Sequence, residues 1–290
     1  MLRLTDLPHL SCPACRGALA LDGEGEASAA GCLAAGALAC AGCGARWPVE
    51  DGLARLYREE LVRGSDRLLR RFYDGVPWLH DPFVRTSFPL FQVGTEDEFR
   101  DGYMPRLDLG ALAPRGGGEP VRILEIGVGC GANLPLLRRD LPPALPVEIW
   151  GCDLSVGMLG VLRGRLRREG DAEIRVLACD AHALPFRDGT FDRVFHVGAM
   201  NSYRDPRTAL AEMARVAAPG TPIVVVDEQL DRSRKHGLYR RAMFRLVTFY
   251  DDDPRCPIED LPEGASDVTE EQLGRFFYCL TFRMPGERRL

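Results

Sequence analysis

Residues 123–134 read Ile-Leu-Glu-Ile-Gly-Val-Gly-Cys-Gly-Ala-Asn-Leu, an apolar run that leads into a glycine-rich turn and then into helical residues. A parallel α/β sheet presents a nucleotide-sized ligand at such a turn, where its first strand ends. Gly127, Gly129 and Gly131 let the backbone turn sharply and approach the ligand closely, where a Cβ would collide. Because loops in many folds carry a G-x-G turn, this stretch needs support from elsewhere in the sequence.

Acidic residues that follow the second and third predicted strands give that support. Asp153 can accept hydrogen bonds from both hydroxyls of a ribose, although dinucleotide dehydrogenases also place an acid at this position. Asp180 offers an acceptor to the 6-amino group of an adenine, and Ala181 leaves room beside it. Glu125, just before the glycines, could meet a cofactor ammonium group directly or through water. The alternative for each acid is a loop cap or a surface charge.

Strands and helices alternate regularly from residue 121 onward, which predicts a doubly wound parallel sheet. The chain ends differently, because residues 268–273 and 276–282 read as two strands around a tight turn, which forces antiparallel pairing. We therefore predict an α/β fold with a mostly parallel, seven-stranded sheet and an antiparallel C-terminal strand. The other five predicted strands are residues 121–126, 147–152, 174–179, 191–197 and 222–226. Asn133 and Asp205 are the expected N-caps of the helices that follow the first and fourth of these strands.

Roughly residues 100–284 resemble the class I S-adenosylmethionine-dependent methyltransferases, and the small-molecule and quinone methyltransferases are the most similar subgroup. The motifs that carry the resemblance are Glu125-x-Gly127-x-Gly129-x-Gly131, Asp153-Leu154-Ser155-x-x-Met158, Asp180-Ala181-x-x-Leu184-Pro185-Phe186, Phe191-Asp192-x-Val194 and Ala218-Pro219-Gly220. The resemblance implies S-adenosyl-L-methionine as the cofactor. We expect cofactor contacts from Tyr103, Glu125, Gly127, Gly129, Gly131, Asn133, Asp153, Leu154, Met158, Asp180, Ala181 and His196.

Candidate catalytic residues follow the fourth predicted strand. A methyl sulfonium is already a good electrophile, so holding the acceptor in line with the methyl group provides much of the rate. His196 is the best candidate for a general base, and a packing role fits it equally well. Asn201 and Tyr203 are candidates to orient the substrate. For Asp227, after the fifth strand, the favoured interpretation is a surface cap.

Two C-x-x-C pairs stand near the N-terminus and predict a metal site. Cys12, Cys15, Cys40 and Cys43 can complete a closed tetrahedral site, which indicates a structural zinc ion, whereas a redox role explains only one pair. Residues 1–56 are too few to build much core, so the metal is expected to hold this module folded. The sequence also predicts that loss of the zinc leaves the catalytic domain able to bind its cofactor.

The surroundings of these cysteines resemble small zinc-ribbon proteins that partner tRNA and protein methyltransferases. The similarity lies in residues 10–17, 40–43 and 47–53, and the Trp-Pro-Val-x-Asp-Gly ending is its more specific part. The same ribbon is fused to some methyltransferases. We therefore divide the chain into a zinc ribbon (residues 1–56), a helical or irregular lid and linker (57–120) and a methyltransferase domain (121–290).

Two further segments border the predicted substrate site. Aromatic residues between residues 72 and 103, among them Trp78 and Phe83, could form a lid over the ligand, although simple packing is the favoured interpretation. Residues 232–250 combine basic and apolar residues at helical spacing. Their basic face could meet an acidic substrate, RNA or an anionic membrane surface, and a plain solvated helix is the favoured interpretation. We expect the two segments to enclose the acceptor.

The bulk properties agree with an enzyme that acts on a small molecule. The formal charge of −5 gives no global reason to expect a nucleic-acid partner. No apolar run approaches the roughly 20 residues that span a bilayer, and no leader-like start is present, so we expect a cytoplasmic protein. The main hypothesis is methyl transfer to a small, partly apolar acceptor, such as a quinone or a secondary metabolite.

Two alternatives remain open. The first is an RNA methyltransferase similar to the zinc-ribbon rRNA guanine methyltransferases, although the second knuckle lacks the histidine ligand of those enzymes and the chain is acidic. The second is a noncatalytic protein whose ribbon recruits a partner, and the intact cofactor motifs speak against it.

Overall fold

The computed structural model describes residues 1–27, 31–91, 95–171 and 173–286. Within these residues, eleven strands form one sheet, which seven α-helices accompany. The strands are β1 (Leu19–Ala27), β2 (Leu33–Cys40), β3 (Arg46–Glu50), β4 (Leu53–Leu56), β5 (Val121–Ile126), β6 (Val147–Asp153), β7 (Arg175–Cys179), β8 (Arg193–Val197), β9 (Pro222–Glu228), β10 (Ser266–Leu273) and β11 (Phe277–Arg283). The α-helices are α1 (Gly64–Gly75), α2 (His80–Phe91), α3 (Glu96–Tyr103), α4 (Leu134–Asp140), α5 (Val156–Glu169), α6 (Pro206–Val216) and α7 (Leu238–Val247).

Seven strands of the C-terminal part follow the order β7-β6-β5-β8-β9-β11-β10. The first five of them are parallel, and β11 pairs antiparallel with both β9 and β10. The turn between β10 and β11 contains Gly274, whose φ of 62° suits a residue without a Cβ. The predicted mixed seven-stranded sheet with an antiparallel C-terminal strand is therefore confirmed.

Both faces of the parallel strands are covered, which explains why they are apolar throughout. All six residues of β5 are buried. Leu124 and Ile126 pack in one core with residues of α6, while Val121 and Ile123 pack in a second core with residues of α4 and α5. Such burial on two sides is typical of parallel sheets whose crossover helices lie on both faces.

The starts of the helices agree with the sequence at Asp205 and differ from it at Asn133, while Ser155 provides a cap that the sequence did not predict. The side chains of Ser155 and Asp205 cap α5 and α6 by accepting hydrogen bonds from the backbone of Met158 (3.1 Å) and Thr208 (3.2 Å). Asn133 occupies the cap position of α4, but its side chain makes no capping hydrogen bond. The expected cap at Asn133 is therefore wrong, because its amide is used in a buried network at the site.

The N-terminal ribbon continues the same sheet. Its strands β1 to β4 form an antiparallel series, and β4 then pairs in parallel with β7, with Leu56 opposite Cys179. A second connection lies beside Pro185, whose carbonyl oxygen accepts from the backbone nitrogen of Ser11 at 3.0 Å. Buried Leu10 and Phe186 share one core. The ribbon is thus joined to the C-terminal part of the sheet by both hydrogen bonds and packing.

The segment between ribbon and sheet places α1 over the start of α5. One carboxylate oxygen of Asp74, near the end of α1, accepts from the Ser155 hydroxyl at 2.7 Å and from the Gly157 backbone at 2.9 Å. A Cβ on Gly157 would lie 2.8 Å from the Cα of Asp74, so this glycine allows the close approach. Residues 92–94 of the predicted lid lie outside the described residues.

Among the described residues, none of the helices combines the length and the apolar character needed to cross a bilayer.

Candidate cofactor site

The glycine-rich turn follows β5 as the sequence predicts. Gly127, Gly129 and Gly131 have φ values of 70°, 51° and 79°, a region that side chains disfavour. A Cβ on Gly127 would also lie 3.2 Å from the ring of His196. The backbone nitrogens of Gly127 and Val128 donate to the carbonyl oxygen of Cys152 at 2.8 and 3.0 Å, which holds the turn against the end of β6.

Asp153 ends β6 and fastens the turn from the other side. Its Oδ2 accepts from the backbone of Gly129 at 2.9 Å, and its Oδ1 accepts from the backbone of Ser155 at 2.8 Å. Burial raises the pKa of Asp153, although the two hydrogen bonds act to lower it. Because each carboxylate oxygen has a second lone pair, Asp153 can still accept from two hydroxyl groups.

A buried polar network lies beneath the turn. The side chain of Asn133 donates to Oε1 of Glu125 at 2.6 Å and accepts from the Tyr103 hydroxyl at 2.6 Å and from Arg100 at 2.5 Å. Within the described part of the chain, Oε2 of Glu125 has no hydrogen-bond partner. Burial raises the pKa of Glu125 to about 8. The sequence singled out three of these residues, but Arg100 carried no motif that pointed to it.

Asp180, the expected acceptor for adenine, already has cationic and polar partners. Its Oδ2 accepts from Arg204 at 2.7 Å, and its Oδ1 accepts from the backbone of His182 at 2.9 Å and lies 2.6 Å from the His182 Nδ1. Burial acts to raise the pKa of Asp180, but the hydrogen bonds from His182 and Arg204 outweigh it and hold the pKa at about 2. Arg204 also bonds to Asp66 of α1.

His196 lies at the end of β8 and is fully buried. Its Nδ1 lies 2.8 Å from the carbonyl oxygen of Ile126 and donates to it, because a carbonyl oxygen can only accept. Nε2 therefore carries the lone pair, and no described residue bonds to it. Burial lowers the pKa of His196 to about 4, so the ring is neutral near pH 7. The ring centroid of Tyr203 lies 5.2 Å away.

Asn201 joins the loop after β8 to the end of β9 and to the segment around Arg255. Its backbone nitrogen donates to Asp227 at 2.6 Å, its side-chain nitrogen donates to the Glu228 carbonyl oxygen at 2.7 Å, and its side-chain oxygen accepts from Arg255. Asp227 is fully buried and also accepts from Ala199, whose φ is 82°. The expected surface cap at Asp227 is wrong, because this carboxylate instead holds the buried loop after β8 in a strained shape.

Two tyrosines lie near the acidic strand ends: Tyr73, one of the aromatic residues expected in a lid, and Tyr250, which the sequence did not place in the site. The hydroxyl of Tyr250 donates to a Glu228 carboxylate oxygen at 2.8 Å. Burial raises the pKa of Tyr73 to about 12, and the negative charges of Glu228, Asp153 and Asp227 act in the same direction. Tyr73 belongs to α1, so the segment predicted as a lid does reach the ends of β6 and β9.

The remaining expected cofactor residues lie beside these groups. Ala181 is buried next to Asp180, and Leu154 is half-buried next to Asp153. Met158 is buried on the first turn of α5, and a Cβ on Gly129 would lie 3.3 Å from its methyl group. The described structure thus gathers the predicted residues around the carboxyl ends of β5, β6, β7 and β8.

The four N-terminal cysteines meet at one point. Their sulfur atoms all lie within 4.8 Å of one another, with 3.7 Å between Cys12 and Cys43 and 3.4 Å between Cys15 and Cys40. Thiolates at about 2.3 Å from one tetrahedral zinc ion lie about 3.8 Å apart, so this cluster fits zinc. A Cβ on Gly17 would lie 2.9 Å from the Cys40 sulfur, which shows that the glycine makes room for the cluster.

Comparisons with known proteins agree with this fold and site. A family model described as a methyltransferase domain matches residues 124–225. Demethylmenaquinone methyltransferase from Thermus thermophilus is 36% identical over 128 residues, which are 44% of this chain and 56% of that protein. Phosphatidylethanolamine N-methyltransferase from Cereibacter sphaeroides is 35% identical over 107 residues, 37% of this chain and 50% of that protein. The chain thus spans about half the length of these curated relatives.

A solved structure shares the fold. Phosphoethanolamine N-methyltransferase 2 from Haemonchus contortus, in complex with S-adenosyl-L-methionine, matches with a TM-score of 0.59 and 16% identity, over 83% of this chain and 62% of that chain. Together with the glycine turn and the acids at the strand ends, these findings identify a class I S-adenosylmethionine-dependent methyltransferase domain in this chain. The recognition of a methyltransferase domain from the sequence motifs is confirmed, whereas the resemblance of the N-terminus to zinc-ribbon proteins is supported by the cysteine cluster alone.

Proposed function

We propose that the chain transfers the methyl group of S-adenosyl-L-methionine to a small, partly apolar acceptor of quinone-like type. The observation that supports this most directly is the group of buried acceptors around the glycine turn, in which Oε2 of Glu125 has no hydrogen-bond partner among the described residues. Demethylmenaquinone and phosphatidylethanolamine, which appear in the relatives' names, are small amphipathic molecules. Tyr73 and Tyr250 beside the strand ends suit an enclosed, partly apolar acceptor.

Several residues are suited to hold the cofactor. Glu125 would accept from its ammonium group, and Asp153 would accept from its ribose hydroxyls. Asp180 would accept from the adenine amino group only through the lone pairs that Arg204 and His182 leave available. We therefore propose that Asp180 both holds these two residues and contacts the adenine. The bound cofactor supplies a methyl sulfonium, which is already electrophilic. The protein's own task is then to orient the acceptor and to exclude water.

A transfer assay with a labelled methyl donor tests this function. We expect incorporation into quinone precursors or into small molecules of a cell extract, and no incorporation into rRNA. Methylation of rRNA alone would establish the RNA alternative. Saturable cofactor binding without transfer to any of these acceptors would contradict the enzymatic proposal and favour a noncatalytic role.

Cofactor binding should release a proton from Glu125. The pKa of about 8 exceeds the ordinary value of 4.5, so the folded, cofactor-free protein holds a proton between these pH values that the unfolded chain has released. The contribution of Glu125 to stability is therefore present at low pH and is lost as the pH rises to about 8. A nearby ammonium favours the carboxylate. Calorimetry at pH 7 in two buffers of different ionisation enthalpy should show the release.

Glu125→Gln is the matched variant for this measurement, because it keeps the shape of the side chain and an acceptor for Asn133. It should abolish the buffer dependence of the binding heat. Equal heats in the two buffers for the unmodified protein would contradict the proposed contact between Glu125 and the cofactor.

We propose His196 as the acceptor of the substrate proton, since its Nε2 has a lone pair and no described partner. His196→Ala should lower kcat by about a hundredfold. Because the pKa is about 4, activity should stay constant above about pH 6 and decline as the pH falls toward 4. Steady-state rates of both proteins across this range test the role, and an unchanged kcat would leave His196 as a packing residue.

A further inference from the structure

Helix α7 turns an apolar face to solvent. Leu238 and Leu246 are 86% and 66% exposed, and Phe249, just after the helix, is 64% exposed. Leu238, Ala242 and Leu246 recur every fourth residue and so lie along one side of the helix. The opposite side carries Phe244, which is buried. Scattered exposed apolar residues are ordinary, but a whole helix face of them indicates an interaction surface.

The lid continues this surface. Its most exposed apolar residues are Leu68, Phe72, Trp78 and Phe83, which are 58–67% exposed. Val84 of α2 packs in the same small core as Met243 and Val247 of α7, so the two helices are neighbours. The ring of Tyr73 contacts that of His80, which joins α1 to the start of α2. We call the surface formed by Leu68, Phe72, Trp78, Phe83, Leu238, Leu246 and Phe249 the lid face.

Basic residues border the lid face. Residues 232–250 contain six cationic side chains and no acidic one, in a chain of formal charge −5. Arg232, Arg234 and Arg245 pair with acidic neighbours. Lys235 and Arg241 belong to the same segment and are exposed, and their side chains make no ion pair with the described residues. Their charge is therefore available to an external partner.

We propose that the lid face docks on the surface of an anionic phospholipid bilayer. Apolar side chains on one side of a helix enter the boundary between headgroups and acyl chains, while adjacent lysines and arginines bind the anionic headgroups. A second copy of this chain would bring the same cations together, so charge complementarity favours the bilayer. The proposal is independent of methyl transfer, because it rests on exposure and charge alone.

Vesicle co-sedimentation tests this docking. The full chain should sediment with vesicles of phosphatidylcholine and phosphatidylglycerol, much less with phosphatidylcholine alone, and less as the salt concentration rises. The double variant Leu246→Asp/Phe249→Asp should reduce binding by at least about tenfold, since it removes apolar insertion and adds charge. Lys235→Gln/Arg241→Gln should reduce binding and flatten its salt dependence.

A matched control is Val268→Asp, which changes a 40% exposed residue on β10, away from the lid face. It should bind vesicles like the unmodified chain. Cofactor titration of every variant shows that the site remains folded. Equal binding to both vesicle types, or unchanged binding by both double variants, would overturn the proposal. The proposal would also be overturned if the unmodified chain bound no vesicles and formed dimers that the Leu246→Asp/Phe249→Asp variant does not form. The lid face would then join two copies of the chain.

Discussion

Cys40→Ser is expected to weaken the whole chain and its cofactor binding, beyond the unfolding of residues 1–56. Loss of one thiolate ligand removes most of the zinc affinity, and in structural sites that affinity is folding free energy. Strand β4 pairs with β7, so the ribbon protects the edge of the catalytic sheet. A loss of about 4 kcal/mol corresponds to a fall of about 10 °C in Tm for a chain of this size.

The coupling to the cofactor site passes through the loop after Asp180. Ser11 precedes the first cysteine, and its backbone nitrogen and hydroxyl donate to the carbonyl oxygens of Pro185 and Phe186 at 3.0 and 2.8 Å. Arg16, just after Cys15, bonds to Glu212, which in turn accepts from the backbone of Leu184. Disorder in the first knuckle therefore removes several supports of the loop that begins at Asp180.

Three measurements check this prediction. Elemental analysis should find one zinc ion per unmodified chain and less in Cys40→Ser. Thermal unfolding should shift by about 10 °C, and calorimetry should show weaker binding of S-adenosylhomocysteine. Cys32→Ser is the matched control, because Cys32 lies in the ribbon outside the cluster of four. Zinc loss with unchanged cofactor affinity would show that the ribbon is the independent module that the sequence alone predicts.

The sequence predicts the sheet well because local patterns specify it. Each parallel strand is a short apolar run, and the turn after β5 needs glycines at positions of positive φ. The acids at the strand ends are predictable for the same reason, since parallel strands bring their carboxyl ends to one edge of the sheet. The antiparallel ending follows from the three-residue turn between β10 and β11.

Pairings between distant segments leave no such pattern. Asp74 bonds to Ser155 across 81 residues, and Asp66 bonds to Arg204 across 138 residues. An aspartate on a solvated helix and one that caps another helix look the same in sequence. Strand β4 is only four residues long, so its pairing with β7 is decided by the packing of the ribbon and not by local propensity.

Substitution of Asp153 is expected to have the largest effect on cofactor binding. Asp153→Ala should weaken the affinity for S-adenosyl-L-methionine by several hundredfold. Two hydrogen bonds from ribose hydroxyls to a charged acceptor contribute about 1.5–3 kcal/mol each, and every 1.4 kcal/mol is tenfold in affinity. The substitution also removes the acceptors of the Gly129 and Ser155 backbone nitrogens, so the turn itself loses two supports.

Asp153→Asn separates these contributions. Its amide oxygen can still accept from one backbone nitrogen, but the variant lacks the charge and the second acceptor. Its affinity should fall between that of the unmodified chain and that of Asp153→Ala. Asp205→Ala is the matched control, because Asp205 also accepts a backbone hydrogen bond at a helix start but lies outside the cofactor residues. This variant should lose about 1 kcal/mol of stability and bind the cofactor as the unmodified chain does. Calorimetry and thermal unfolding of the three variants measure both quantities. If Asp153→Ala bound the cofactor within about threefold of the unmodified chain, the carboxylate would serve only the turn, and the ribose would need another acceptor.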